Sequence, residues 1–123
     1  MGFDLIISLN LFIDPKTGLP FIWGEDNVRK PFVPSDFQVP EKYRKWIEQR
    51  GRVFYFYING ISETSSVDIY TFLDNYPDWY EVLENMGSDC DNYDYWTKSH
   101  HDDFKEALIW FNEKKHFIIE WSY

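Results

Sequence analysis

Four groups of residues in this 123-residue chain carry side chains that could do chemistry. The densest is His100-His101-Asp102-Asp103, where imidazoles and carboxylates are of the types that ligate a transition metal in a metal-dependent hydrolase, with Asp94 and His116 as further donors. Adjacent histidines diverge on a regular backbone, and Asp102 and Asp103 at a helix start would complement the positive end of its dipole. No metal is therefore assigned, and His100, His101 and Asp102 stand as the candidate ligands should one bind. Asp89, Asp91 and Asp94 offer oxygens to calcium, but a loop counted from Asp89 places Asp94 where glycine is required and His100 where glutamate is required. Between them lies Cys90, the single cysteine, which has no neighbouring base or cation to activate it and cannot form an internal disulfide.

The third group is Arg44, Arg50 and Arg52 with Trp46. Guanidinium groups bind phosphate oxygens in pairs and an indole stacks on a base, so these residues are the candidate site for sequestering a small anionic, nucleotide-type ligand, within one chain or in a homo-oligomer. A plainer role competes: Glu41 and Glu48 stand at i+4 spacing from Lys45 and to Arg44, and Trp46 faces a core. The fourth group is Asp89, Asp91, Tyr93, Asp94, Tyr95 and Trp96, acids interleaved with the rings that commonly anchor protein interfaces. No phosphate loop, dinucleotide fingerprint, nucleophile elbow or H-E-x-x-H motif occurs, so neither a cofactor nor a catalytic residue is predicted.

The charge layout bears on the fourth group. Residues 1–52 hold seven acids and eight bases, residues 53–97 hold nine acids and no base, and residues 98–123 hold five acids and four bases. The net charge of −9 is thus concentrated in the middle of the chain. Such a field attracts a basic protein surface and repels duplex nucleic acid. In composition alone the chain resembles nucleic-acid-mimic inhibitors. The expectation is a non-catalytic acidic interaction protein, its partner-binding residues being those of the fourth group; the competing reading is an acidic face that only keeps an apolar domain soluble.

These residues must be held by elements that the periodicity predicts. With 11 Phe, 9 Tyr and 6 Trp the chain is too apolar to remain disordered, and no repeat or linker divides it, so one domain over residues 1–123 is expected. Alternation from Phe3 to Ile13 predicts a long strand, Asp14–Gly18 a turn, and Leu19–Trp23 the returning strand of a hairpin. Pro31, Pro34 and Pro40 predict an irregular stretch over 24–39, and Tyr43, Trp46, Ile47 and Arg50 a short helix ending before Gly51. Val53–Ile58 reads as a strand covered on both faces, leading into an Asn59-Gly60 turn.

Ser65 and Asp68 look like a capping pair before the stripe Ile69, Phe72, Leu73, Tyr76; Pro77 interrupts, and Trp79, Val82, Leu83, Met86 repeat the spacing up to Gly87. Asp103 with Glu106 opens a last helix bearing Phe104, Ala107, Leu108 and Phe111, and Phe117, Ile119 and Trp121 alternate in a final strand. The order β-β-α-β-α-α-α-β predicts an α+β fold, a mainly antiparallel sheet of about four strands with three to four helices packed on it. No stretch approaches the roughly 18 apolar residues of a membrane span and no secretory leader is visible. A cytoplasmic location without membrane contact is expected.

Overall fold

Strict alternation at both ends of the chain decides the main sheet. The computed structural model describes residues 4–50, 54, 57, 58, 61, 65–89 and 96–122, with 85–89 described by backbone alone. Strand β1 (Asp4–Leu9) buries Leu5 and Ile7, and the C-terminal strand β7 (Phe117–Ser122) buries Phe117, Ile119 and Trp121. The two pair antiparallel so that Leu5 faces Trp121, Ile7 faces Ile119 and Leu9 faces Phe117. A one-residue slip would turn every one of these side chains to the opposite face, so burial fixes the register.

Between them the chain forms β2 (Phe12–Ile13), β3 (Pro20–Trp23), β4 (Arg29–Pro31), a 3-10 helix (Pro34–Phe37), α1 (Glu41–Arg44), β5 (Glu48–Arg50), β6 (Ser66–Asp68), α2 (Ile69–Asp74), α3 (Trp79–Asp89) and α4 (Lys98–Lys114). Strands β5-β1-β7-β6 make a four-stranded antiparallel sheet and β2-β3-β4 a three-stranded one. The fold is α+β, as predicted. Helices α2 and α4 pack on each other and on this larger sheet. Among the described residues no helix is long and apolar enough to cross a membrane.

Several local expectations change. The long first strand breaks at Asn10, whose N–H reaches the His116 carbonyl at 2.8 Å, and the hairpin expected from it is made by β2 and β3 in the second sheet. Its turn closes as predicted, with Gly18 N–H on the Asp14 carbonyl at 2.8 Å and Gly18 at φ +72°. The stretch 24–39 is not wholly irregular: β4 adds to β3 as an edge strand ending at Pro31, where a missing N–H does no harm.

The helix expected to reach Arg50 stops after one turn, because the backbone of β1 needs a partner: Ile47 O accepts from Ile7 N–H at 2.8 Å and β5 continues the ladder. Val53–Ile58 is not a strand where it is described; Phe54 and Tyr57 lie in 3-10 turns, and Phe54, Tyr57 and Ile58 are all buried. Among the described residues both strands paired with β7, β1 and β6, are antiparallel to it. The Asn59-Gly60 turn lies outside the described residues.

The helix starts also move. Asp68 itself caps α2, accepting from Thr71 N–H at 2.7 Å, while Ser65 O accepts from Trp121 N–H. Helix α3 runs past Gly87. Helix α4 begins at Lys98, ahead of Asp103, under a capping box in which Thr97 and His100 bond reciprocally to each other's backbone N–H. That box was hidden because its third position holds histidine where Glu or Gln is the usual signal.

The core centres on Phe104 of α4. Trp46 stacks on it at 5.1 Å, and Phe54, Tyr57, Phe72, Tyr76 and Trp96 surround it at 5.7–6.4 Å between ring centroids, at steep or tilted angles. Such offset and edge-on contacts add to the burial of each ring. Phe104→Ala should therefore cost about 3–5 kcal/mol, read as a lower urea midpoint at unchanged slope. A loss below about 1 kcal/mol would show that the cavity closes and that Phe104 does not organise the core.

Candidate functional site

Where it is described, the most acidic stretch of the chain includes two helices with exposed outer sides. Helix α2 turns Ile69 and Phe72 inward, which places Tyr70 and Asp74, one turn apart, on the outside; Tyr70 is 65% exposed. Helix α3 is capped by Asp78, which accepts from Glu81 N–H at 2.9 Å, and buries Val82. Its outer side then carries Tyr80, 82% exposed, with Leu83 and Glu84 beside it at i+3 and i+4. Asp68, Asp74, Asp78, Glu81 and Glu84 are all exposed. Asp68, Asp74, Asp78 and Glu84 take part in no ion pair among the described residues, where the pairs formed use Asp4, Asp14, Glu25, Glu48 and Asp102.

The residues expected to anchor a partner fare differently. Asp91, Tyr93, Asp94 and Tyr95 lie outside the described residues, as does Cys90, and Asp89 is described only as the last residue of α3. Trp96 is corrected from surface anchor to core residue: it is 5% exposed, meets Trp46 and Phe54 edge-on at 5.7 and 5.1 Å, and donates its indole N–H to Tyr57 Oη at 2.8 Å. Among the described residues, the outward rings of the acidic stretch are Tyr70 and Tyr80. Their signal was present in the sequence, since both fall off the apolar stripes of their helices.

Behind this surface lies a closed polar chain. Because Tyr57 Oη accepts from Trp96, its own proton points to His101 Nδ1, 2.7 Å away, and Pro77's backbone supplies the imidazole's other partner. Tyr76 donates its hydroxyl to the His101 carbonyl. Burial pushes both tyrosine hydroxyls well above their usual range and pushes His101 below its own. At neutral pH all three groups are uncharged, and His101 is 5% exposed, so the chain satisfies interior donors and acceptors.

This separates the three candidate metal ligands. His100 turns to Thr97, its Nδ1 2.9 Å from the hydroxyl; His101 points into the core; and Asp102 pairs with Lys98 at 2.8 Å. Successive residues of a helix point about 100° apart, so the run cannot converge on one ion. Among the described residues no three His, Cys, Asp or Glu side chains form a cluster able to hold a metal.

The arginine group does not converge either. Arg44 donates to the Val39 carbonyl at 3.1 Å, Arg50 is flanked by Asp4 and Glu48 at 3.4 and 3.2 Å, Trp46 is buried against Phe104, and Arg52 lies outside the described residues. Of the four, Arg50 and Trp46 line a shallow pocket of about 240 Å³, where Arg50 is already offset by two carboxylates.

No family model matches the chain, and neither a curated protein nor a solved structure shows significant similarity to it.

The neutral His101 gives stability a pH dependence of fixed sign. Its proton affinity is lower in the fold than in the unfolded chain, so its contribution is complete above about pH 6.5 and is lost as pH falls below that value. His116, lowered first by burial and then by Lys30 and Lys115, acts in the same direction. In urea unfolding at pH 7.5 and 5.5, His101→Phe should cost about 1–3 kcal/mol at the higher pH, where Tyr57 loses its acceptor, and less at the lower. An equal cost at both would mean that His101 does not titrate with unfolding.

Proposed function

We propose that this chain is a non-catalytic, cytoplasmic interaction domain, inhibitor- or nucleic-acid-mimic-like, that presents the acidic, tyrosine-bearing surface of α2 and α3 to a basic protein partner. The observation that carries the reading is the company Tyr70, Tyr80 and Leu83 keep: they face outward among Asp74, Asp78, Glu81 and Glu84 in a stretch, 53–97, without a single Lys or Arg. Exposed carboxylates steer a basic surface into register and raise the association rate, whereas the exposed rings supply the apolar area that limits dissociation. The same field opposes a phosphate backbone, which argues for a protein partner over a duplex.

A photo-crosslinking residue placed at Tyr80 of the full chain tests this in host extract, with the same residue at exposed Leu19 as control. The expected result is one protein product from position 80, absent from position 19, whose yield falls steeply between low and physiological salt. Asp74→Asn with Glu84→Gln should weaken that partner's binding about tenfold at low salt and flatten its salt dependence. A product that is equally abundant from position 19, or indifferent to salt and to both substitutions, would overturn the reading.

A further inference from the structure

The break at Asn10 opens a pocket of about 510 Å³ between the two sheets. One wall is aromatic. Phe12 and Trp23 meet edge to face at 6.2 Å and are each 39% exposed, and Phe117 also lines the pocket. Arg29 lies 5.5 Å from the Trp23 ring and holds it in place. Lys30, Lys115 and His116 also line the pocket.

Two backbone features aim the lysines. Lys115 occupies the left-handed C-cap of α4 at φ 69°, which turns its side chain off the helix so that Nζ meets Glu25. Lys30 crosses over Gly24, where a Cβ would stand 2.7 Å from its Cε and 3.2 Å from its Cδ. Gly24 does not have a positive φ, so what glycine contributes there is room for the lysine. The Glu25 carboxylate is held below its usual range chiefly by Lys115, with Lys30 adding to it, and Lys30 and Lys115 both also lower His116. Both ammonium groups thus act on one small region. Asp68, the other acid of the lining, is committed to capping α2 through Thr71 N–H.

We propose that this pocket binds a small aromatic anion, a carboxylate or phosphate carried on a planar ring, with the ring against Phe12 and Trp23 and the anionic group on Lys30 and Lys115 in place of Glu25. The exposed Glu25–Lys115 pair is readily exchanged, since surface ion pairs contribute little. A dianion bridging both ammonium groups, with a stacked ring, has more to gain there than Glu25. This site stands on different residues from the acidic helical surface, so either assignment can fail without the other.

Isothermal titration of the full chain with phenyl phosphate and with indole-3-acetate tests it, using inorganic phosphate and phenol as probes of charge alone and ring alone. At least one ring-bearing anion should bind, and bind about tenfold or more tighter than inorganic phosphate or phenol. Lys30→Gln, Lys115→Gln and Gly24→Ala should each weaken it several-fold or more, and Glu25→Gln should strengthen it, while the unliganded melting temperature of Glu25→Gln and Lys30→Gln stays within about 2 °C of the parent. Retention of affinity in both lysine variants, or no binding of either ring-bearing anion at millimolar concentration, would overturn the assignment.

Discussion

Phe104 can be ringed by six aromatic side chains only because distant segments converge on one turn of α4. Trp46 follows α1, Phe54 and Tyr57 come from the turns beyond β5, Phe72 and Tyr76 from α2 and its end, and Trp96 from the approach to α4 itself. Rings packed in this way have few alternative arrangements of similar density, so their shape selects one fold more sharply than aliphatic burial alone. Besides the Trp46 indole, three of the six, Tyr57, Tyr76 and Trp96, carry a polar tip that burial would penalise by some 1–3 kcal/mol if left without a partner. The bonds from Trp96 to Tyr57 to His101 and from Tyr76 to the His101 carbonyl remove that penalty. Helix α4 supplies both His101 and Phe104, three residues apart on one face, so the packing centre and its polar anchor are positioned together.

A core built this way leaves the exterior to charge. The ion pairs described are exposed and contribute little to stability, so they do not explain where the charges lie. What they do explain is local neutrality: Asp4, Asp14, Glu25, Glu48 and Asp102 each have a cation nearby, whereas Asp68, Asp74, Asp78 and Glu84 take part in no ion pair among the described residues. The asymmetry is a property of the sequence, and Asp68, Asp74, Asp78, Glu81 and Glu84 carry its described part on the exterior.

Period-two alternation made β1, β7 and the hairpin legible, because only one register buries Leu5, Ile7, Phe117, Ile119 and Trp121 together. Continuous apolar runs were not legible in the same way. Phe54, Tyr57 and Ile58 fit a doubly covered strand or a tight helical turn equally well, and contact with Phe104, 50 and 47 positions away from Phe54 and Tyr57, chose the turn. The helical spacing of Tyr43, Trp46 and Ile47 was real, but the open edge of β1 took the chain at Ile47, a tertiary demand that no local window contains. Trp96 was misread for the same reason, its neighbours in sequence being acids and its neighbours in space being rings. The pocket between the sheets was beyond sequence reasoning altogether, since Lys30 and Lys115 meet only through topology and Gly24 matters only once Lys30 lies across it.

The fate of the tyrosines separates structure from surface more cleanly than composition could. Tyr57 and Tyr76 have their rings packed in the core and hydroxyls bonded within the fold; Tyr70 and Tyr80 are exposed and have no such bond among the described residues. Helix stability does not account for the second pair, because at an exposed helical position Tyr is a weaker helix former than Ala, Glu, Lys or Arg by a few tenths of a kcal/mol. Solubility does not account for them either, because an acidic helix needs no rings to stay in water. Under the proposed function, a large amphipathic ring kept outside the core, near Asp74 and Glu84, which form no ion pair among the described residues, supplies what an interface anchor requires: apolar area that is available, a hydroxyl that remains hydrated until contact, and a field that brings the partner to it.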